Sequence, residues 1–176
     1  MTQDGQGNNS TVSQQYGQYH EAIVEQVGDD NLSDIYQDNT NTFANVYQEG
    51  DDNMADIWQR SRKFIFGGAD VSTVDLDQLG NNNEASVTQD AASPSDPKTN
   101  EATIWQDGYS NEVTLEQYRL SNVGSSASNS ADISQTGDNN STDAYQDGRG
   151  HFLEESTTGN DNVLESTRNG RFQLLN

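Results

Sequence analysis

An eleven-residue period constrains the fold of this 176-residue chain more than any other feature. A clear copy is Gln48-Glu49-Gly50-Asp51-Asp52-Asn53-Met54-Ala55-Asp56-Ile57-Trp58-Gln59, with the pattern Q-x-G-x-x-N-x-A-x-[IV]-x-Q, and its last glutamine opens the next copy. Gln26, Gln37, Gln48 and Gln59 keep this spacing. Other units end at Gln14, Gln78, Gln89, Gln106, Gln117, Gln135 and Gln146. Beyond Gln146 the pattern decays to Gly148, His151, Leu153, Glu155 and Thr157, then Gly159, Asn162, Leu164, Ser166 and Arg168. Thirteen units and a C-terminal fragment can be counted.

Within a unit the Asn, Ala, Ile/Val and Gln positions lie two apart, which is the strand period and places all four on one face. A helix is incompatible with this spacing. Each unit reads as a strand of about seven residues, Asn to Gln, followed by a four-residue turn. The turn glycines Gly5, Gly17, Gly28, Gly50, Gly80, Gly108, Gly137 and Gly148 supply positive φ, and the Asp or Asn beside them favours a tight reversal.

One such strand cannot bury a core, whereas stacked pairs of strands can. The fold class expected is therefore all-β, a flattened β-solenoid with two units, twenty-two residues, per coil. Equivalent side chains then stack roughly 4.8 Å apart, and buried amides satisfy one another in hydrogen-bonded ladders. The ladder positions are Asn8, Gln14, Gln26, Asn31, Gln37, Gln48, Asn53, Gln59, Gln78, Asn83, Gln89, Asn100, Gln106, Asn111, Gln117, Asn129, Gln135, Asn140 and Gln146. The apolar centre is assigned to Val12, Ala22, Val24, Ile35, Ala44, Val46, Ala55, Ile57, Val74, Leu76, Ala85, Val87, Ala102, Ile104, Val113, Leu115, Ala131, Ile133 and Ala144. His20 and His151 stand at Asn positions and read as ladder substitutes, not catalytic bases.

Three intervals, Gln59–Gln78, Gln89–Gln106 and Gln117–Gln135, are nineteen, seventeen and eighteen residues long. Their strands remain readable, so the extra residues fall in long turns at 60–71, 90–99 and 118–128. One regular unit separates consecutive long ones, so a two-unit coil puts all three on one edge, together with the slip at Gln14-Gln15. Pro94 and Pro97 lie in the second long turn, where a missing N–H breaks no ladder. Arg60, Arg62 and Lys63 open the first, before Phe64, Ile65 and Phe66. That segment reads either as a contact loop or as a loop folding its apolar end onto the solenoid. The whole chain, 1–176, is expected to be one domain, regular over about 3–157 and degenerate over 147–176.

Composition narrows the function. Leu, Ile, Val and Phe make up about 17% of the chain, a level that without a repeat would indicate disorder. Asn and Gln supply about a fifth of the residues, the bias of cross-β sequences. Eight basic against twenty-nine acidic residues leave a net charge of −21, which repels nucleic acid and anionic membrane surfaces. There is no apolar run of the roughly 20 residues that a spanning helix needs, so membrane insertion is not expected. The start MTQDGQGNNS lacks a leader's basic and apolar regions, leaving a cytosolic or an already processed chain as the expectations. No cysteine is present, which excludes disulfides and thiolate metal sites.

With these residues in view, Q-x-G-x-x-N-x-A-x-[IV]-x-Q resembles the repeat of curlin, the subunit of the extracellular amyloid fibres called curli. The resemblance covers about residues 3–168. It implies amide ladders at the Asn and Gln positions, a dry centre at the Ala, Ile and Val positions, and end-to-end addition into fibres of the biofilm matrix. It also implies a removed signal peptide, export in unfolded form through an outer-membrane pore, and a nucleator subunit at the cell surface. The absence of cysteine suits an oxidising periplasm. This chain departs from familiar enteric members in its greater number of units, its long turns and its degenerate C-terminal end.

The mechanism expected is a heterologous, non-closing contact between the N-terminal coil of one copy and the C-terminal coil of another. Glu155 and Arg168, inward and charged, read as the end of the core or as devices that weaken docking. The outward Tyr36, Tyr47, Trp58, Trp105 and Tyr145 serve adhesion or cross-strand packing. The acidic turns at Gly28–Asn31 and Gly50–Asn53 could hold calcium, but lack the nonapeptide pattern of calcium-binding rolls. No catalytic constellation, cofactor motif or metal site is read from the sequence, so an enzyme is not expected. The alternative is a soluble acidic β-solenoid binding polysaccharide, ice or calcium, although regular Thr-x-Thr rows for ice are missing.

Overall fold

In a computed structural model of the chain, residues 1–61, 70–91, 99–118 and 128–171 are described. Their elements are all strands: β1 (Thr2–Asp4), β2 (Asn9–Gln15), β3 (His20–Val27), β4 (Leu32–Asn39), β5 (Thr42–Glu49), β6 (Met54–Ser61), β7 (Val71–Asn81), β8 (Glu84–Asp90), β9 (Thr99–Tyr109), β10 (Glu112–Tyr118), β11 (Asn129–Asp138), β12 (Ser141–Arg149), β13 (Phe152–Thr158) and β14 (Val163–Arg171). Odd strands form one seven-stranded sheet in the order β1-β3-β5-β7-β9-β11-β13, and even strands form the other from β2 to β14. Every pairing is parallel, as in a flattened β-solenoid with one strand of each sheet per coil.

The register places like on like. Gln26 pairs Gln48, Val24 pairs Val46 and Ala22 pairs Ala44 between β3 and β5. The same alignment crosses the long connections, where Gln48 pairs Gln78 and Gln78 pairs Gln106. The connections leading from even to odd strands include all three long intervals, which therefore leave one edge of the stack. Arg62, Lys63, Phe64, Ile65, Phe66, Pro94 and Pro97 lie outside the described residues.

Between the sheets runs an apolar core from Val24 to Leu153, with Ile35, Ile57, Leu76, Ile104, Leu115 and Ile133 among its largest fully buried side chains. Large residues alternate with Ala44, Ala55, Ala85, Ala102, Ala131 and Ala144, all buried, so the facing sheets interdigitate. Val74, Val87 and Val113 complete the columns. Full burial of each Val, Ile or Leu stabilises by about 1.5–3 kcal/mol.

Several details differ from the sequence reading. Val12 and Ala22 are only half-buried against the core. Val12 lies in the outermost strand of its sheet, and the neighbouring β1 spans three residues that pair only with Glu25–Val27, leaving Ala22 without a covering strand. Strands are also longer than seven residues where β7, β9 and β11 continue through Gly80, Gly108 and Gly137, because the coil-to-coil ladder carries on into the turn. The C-terminal decay does not end the solenoid: β13 and β14 complete another coil, burying Leu153, Glu155, Thr157 and Arg168. Ala91, also buried, was not among the expected core residues.

Candidate functional site: the amide columns and the ends of the stack

The turns of one edge set the geometry of the stack. Gly5, Gly28, Gly50, Gly80, Gly108, Gly137 and Gly159 all have φ between 97° and 119° or up to 132° at Gly108. A Cβ on Gly80 would sit 2.1 Å from the carbonyl oxygen of Gly108, so the coils approach through the space a side chain would occupy. Two residues further on, Asp30, Asp52, Asn82, Ser110, Asn139 and Asp161 are in the left-handed region with φ of 53–58°. Asn closes each turn. Its amide Nδ2 donates to the glycine carbonyl of the next coil: Asn31 to Gly50 at 2.6 Å, Asn53 to Gly80 at 2.7 Å, Asn111 to Gly137 at 2.7 Å and Asn140 to Gly159 at 2.7 Å. Asn8 and Asn83 do the same toward Gly28 and Gly108. In return each Asn Oδ1 accepts the backbone N–H of the next Asn, as Asn53 N to Asn31 Oδ1 at 3.0 Å.

The acidic turn residues have a local structural role. Asp29 Oδ1 accepts the N–H of Gln6 at 2.7 Å, and Asp51 Oδ1 that of Asp29 at 2.9 Å. Among the described residues no group of three or more His, Asp or Glu side chains is gathered as for a metal ion.

On the other edge the Asn position is mixed. Gly17 and Gly148 lie there, both with positive φ. His20 Nδ1 lies 2.6 Å from Thr42 Oγ1, and His151, buried, places Nε2 2.8 Å from the carbonyl oxygen of Asp147. Asn100 and Asn129 do not form an amide ladder with each other. Asn100 Nδ2 donates to the Gln117 carbonyl and Asn129 Nδ2 to that of Tyr118, while Asn100 Oδ1 is buried without a partner. With Ser72 and Thr42 preceding Asn100 in the column and His151 following Asn129, the identity needed for a ladder is missing.

Glutamine columns run inside both sheets. In the odd sheet Gln3, Gln26, Gln48, Gln78 and Gln106 each donate Nε2 to the Oε1 of the next glutamine, at 2.6, 2.7, 2.8, 2.9 and 3.0 Å, ending on Gln135. In the even sheet Gln14, Gln37 and Gln59 do so at 2.8, 3.0 and 3.2 Å, ending on Gln89. An unbroken ladder is not found there, because the Oε1 atoms of Gln117 and Gln146 are buried without partners. What those two retain is a bond the sequence reading missed. From Gln26 to Gln146, the amide of each column glutamine also reaches across the core to a backbone carbonyl of the opposite sheet: Gln37 to Glu21 at 2.9 Å, Gln48 to Leu32 at 3.0 Å, Gln89 to Thr73 at 3.1 Å, Gln117 to Glu101 at 2.9 Å and Gln146 to Ser130 at 3.2 Å. A glutamine amide has two N–H groups and a column uses one, so the donor count was the available signal.

Arg168 takes the glutamine position in β14, pairing Gln146, and its guanidinium donates to the carbonyl of Phe152 as a glutamine strut would. It is 3% exposed. Glu155, its buried neighbour, has its carboxyl pushed up by burial, partly offset by Ser166 and Arg168.

On the outer face of the even sheet Tyr36 and Trp58 stack, centroids 6.2 Å apart and planes within 5°. Arg60 lies over the Trp58 ring at 5.4 Å and is ion-paired with Asp90. Tyr118 and Tyr145 pack at 5.9 Å. Cross-strand packing thus accounts for Tyr36, Trp58 and Tyr145, whereas Trp105 is 40% exposed. Tyr47 donates to Glu49, and that bond above all pushes its hydroxyl up to about 12.

Residues 127–154 match the curlin associated repeat, a stretch that includes β11 and β12, one coil of this stack. That stretch is similar to one curlin repeat. Between neighbouring coils Gln59 pairs Gln37, Gln117 pairs Gln89, and Gln106 and Gly108 pair Gln78 and Gly80 and then Gln135 and Gly137 in the same register. The match covers less than a fifth of the chain. Neither a curated protein nor a solved structure was found to match it.

Proposed function

We propose that this chain, acting over 1–176 as a single solenoid unit, self-assembles end to end into extracellular curli-like amyloid fibres of the biofilm matrix that support cell adhesion and aggregation. The observation that carries this reading is the state of the outermost strands. Both sheets are parallel throughout, and the described stack begins on β1 and β2 and finishes on β13 and β14 with hydrogen-bonding edges of matching direction. Soluble solenoids cover such edges with caps. A heterologous contact between unlike ends does not close, and so yields a filament. By the same family reading, a surface nucleator starts the fibre and an outer-membrane pore releases the unfolded chain; neither catalysis nor a cofactor is part of the function.

The test is electron microscopy and fibre diffraction of the purified chain, diluted from denaturant into neutral buffer with a chelator. Unbranched fibres with a reflection near 4.7–4.8 Å are expected. Persistent single particles with β-type circular dichroism would instead favour a soluble solenoid that binds a ligand on its flat face.

A further inference from the structure

The columns are directional, and their two ends differ in chemistry. Wherever two glutamines of a column are bonded, the donor lies on the N-terminal side and donates toward the C-terminal end, so Gln3 and Gln14 turn Oε1, an acceptor, outward from the N-terminal end. At the other end of the even sheet stands Arg168, which has N–H donors only and no acceptor. It is 3% exposed and its Nε is buried without a partner. The asparagine column is directional in the same sense. It ends on Asn162, whose Nδ2 donates back to Asn140 Oδ1 at 2.8 Å, as that of Asn140 does to Asn111 Oδ1 at 3.0 Å; the forward bond to a glycine carbonyl that every earlier member also makes finds no partner for Asn162 among the described residues.

We propose that a second copy of this chain docks head to tail in one register, with Arg168 donating to Gln14 Oε1 and Asn162 donating to the Gly5 carbonyl of the next copy. This rests on the self-assembly reading above and specifies its joint. β14 then pairs with β2 and β13 with β1 of the following copy, each sheet continuing into its own kind. The alternatives fail on charge and donor count. A tail-to-tail joint sets guanidinium against guanidinium in a buried column, and a head-to-head joint sets acceptors against acceptors. Gly159 keeps the turn conformation of its column, φ 110°, and a Cβ there would meet only Asn162 Nδ2 at 3.5 Å, leaving room for the next coil's carbonyl.

In this register Glu165 lies beside Thr11 of the next copy, and both are exposed in the free chain. Within one chain they are six strand spacings apart, about 29 Å. The chain has no cysteine, so Thr11→Cys and Glu165→Cys introduce the only thiols. Fibres of the double variant, treated with a short bis-maleimide, are expected to give covalent multimers, and fibres of the two single variants mixed to give covalent dimers only. Efficient cross-linking of either single variant alone would show a like-to-like joint and overturn the proposal. So would cross-linking of Glu154→Cys with Thr11→Cys, which requires the sheets to swap. Fibres that cross-link in none of these ways overturn it as well, while leaving self-assembly standing; no fibres from the unaltered chain would remove both. A second variant tests the contact itself. Gln14→Arg still donates to Gln37 but opposes Arg168 at the joint, and should slow elongation at least tenfold. Adding Arg168→Gln restores one donor-only side chain per joint and should recover the rate. Growth of Gln14→Arg at the native rate would refute the Arg168–Gln14 contact.

Discussion

At the residue scale, each column position uses a property that no neighbouring residue type supplies. Gly80 combines a φ of 97° with a carbonyl oxygen 2.1 Å from where a Cβ would stand. Gly80→Ala therefore meets both the left-handed penalty of about 1–2 kcal/mol and a backbone clash that displaces the next coil. A loss of at least about 2 kcal/mol is expected in denaturant unfolding of the unassembled chain, and an unchanged midpoint would mean that the coils are looser than described. Gln78 donates to Gln106 and Met54 and accepts from Gln48, whereas Gln117 keeps its strut to Glu101 and has an unpartnered Oε1. Gln78→Leu should cost about 3 kcal/mol and Gln117→Leu about a third as much, at roughly 1 kcal/mol per lost bond. Equal losses would show that the columns are uniform. The stacking of Gln78 was legible because identical residues recur at one spacing. Its strut was not, since the acceptor is a backbone carbonyl that carries no residue identity. Arg168 was misread for the opposite reason: a buried charge looks like the end of a core, yet its guanidinium can replace an amide donor.

At the element scale, the strand is half of a repeating object and the coil is the whole. Excising Gln26–Tyr47, twenty-two residues, removes one strand from each sheet and joins Glu25 to Gln48 in unchanged phase. Circular dichroism should retain the β signal, with stability lowered by about one coil's share of a nearest-neighbour sum. Excising Gln26–Tyr36, eleven residues, removes a strand from the even sheet alone and sends every later strand into the opposite sheet. The glycine turns then fall on the edge that carries the mixed positions, and the fold should be lost. Survival of the eleven-residue deletion with native-like amide protection would argue against a two-strand coil. The two-strand coil could be read from the alternation of long and regular intervals. The extent of β7, β9 and β11 could not, because continuation past the glutamine depends on Gly80, Gly108 and Gly137 stacking on one another, a contact between coils rather than within a unit.

At the scale of the whole molecule, parallel in-register stacking concentrates a net charge of −21 into rows on the outer faces. Asp34 lies beside Asp56 in neighbouring strands. Burial and then Asp34 push the Asp56 carboxyl up, and burial and then Asp75 do the same for Asp77. A carboxyl raised in the folded state holds its proton more tightly there than in the unfolded chain. Its contribution to stability is therefore fully present below the ordinary value of 3.8 and is lost as pH rises through the raised folded value. Lowering the pH from neutral toward the carboxylate range should strengthen the stack and speed assembly, with Glu155 acting in the same direction. Salt separates this local effect from general repulsion. Raising ionic strength from about 0.01 to 0.15 M shortens the screening length from about 30 to 8 Å, which relieves repulsion between distant rows but leaves adjacent carboxylates largely coupled. Asp56→Asn should flatten the pH dependence of unfolding at high salt, where the distant charges are already screened. If salt alone abolishes the dependence in the unaltered chain, the acid rows act only through net charge, and the Asp34–Asp56 contact has no separate part in it.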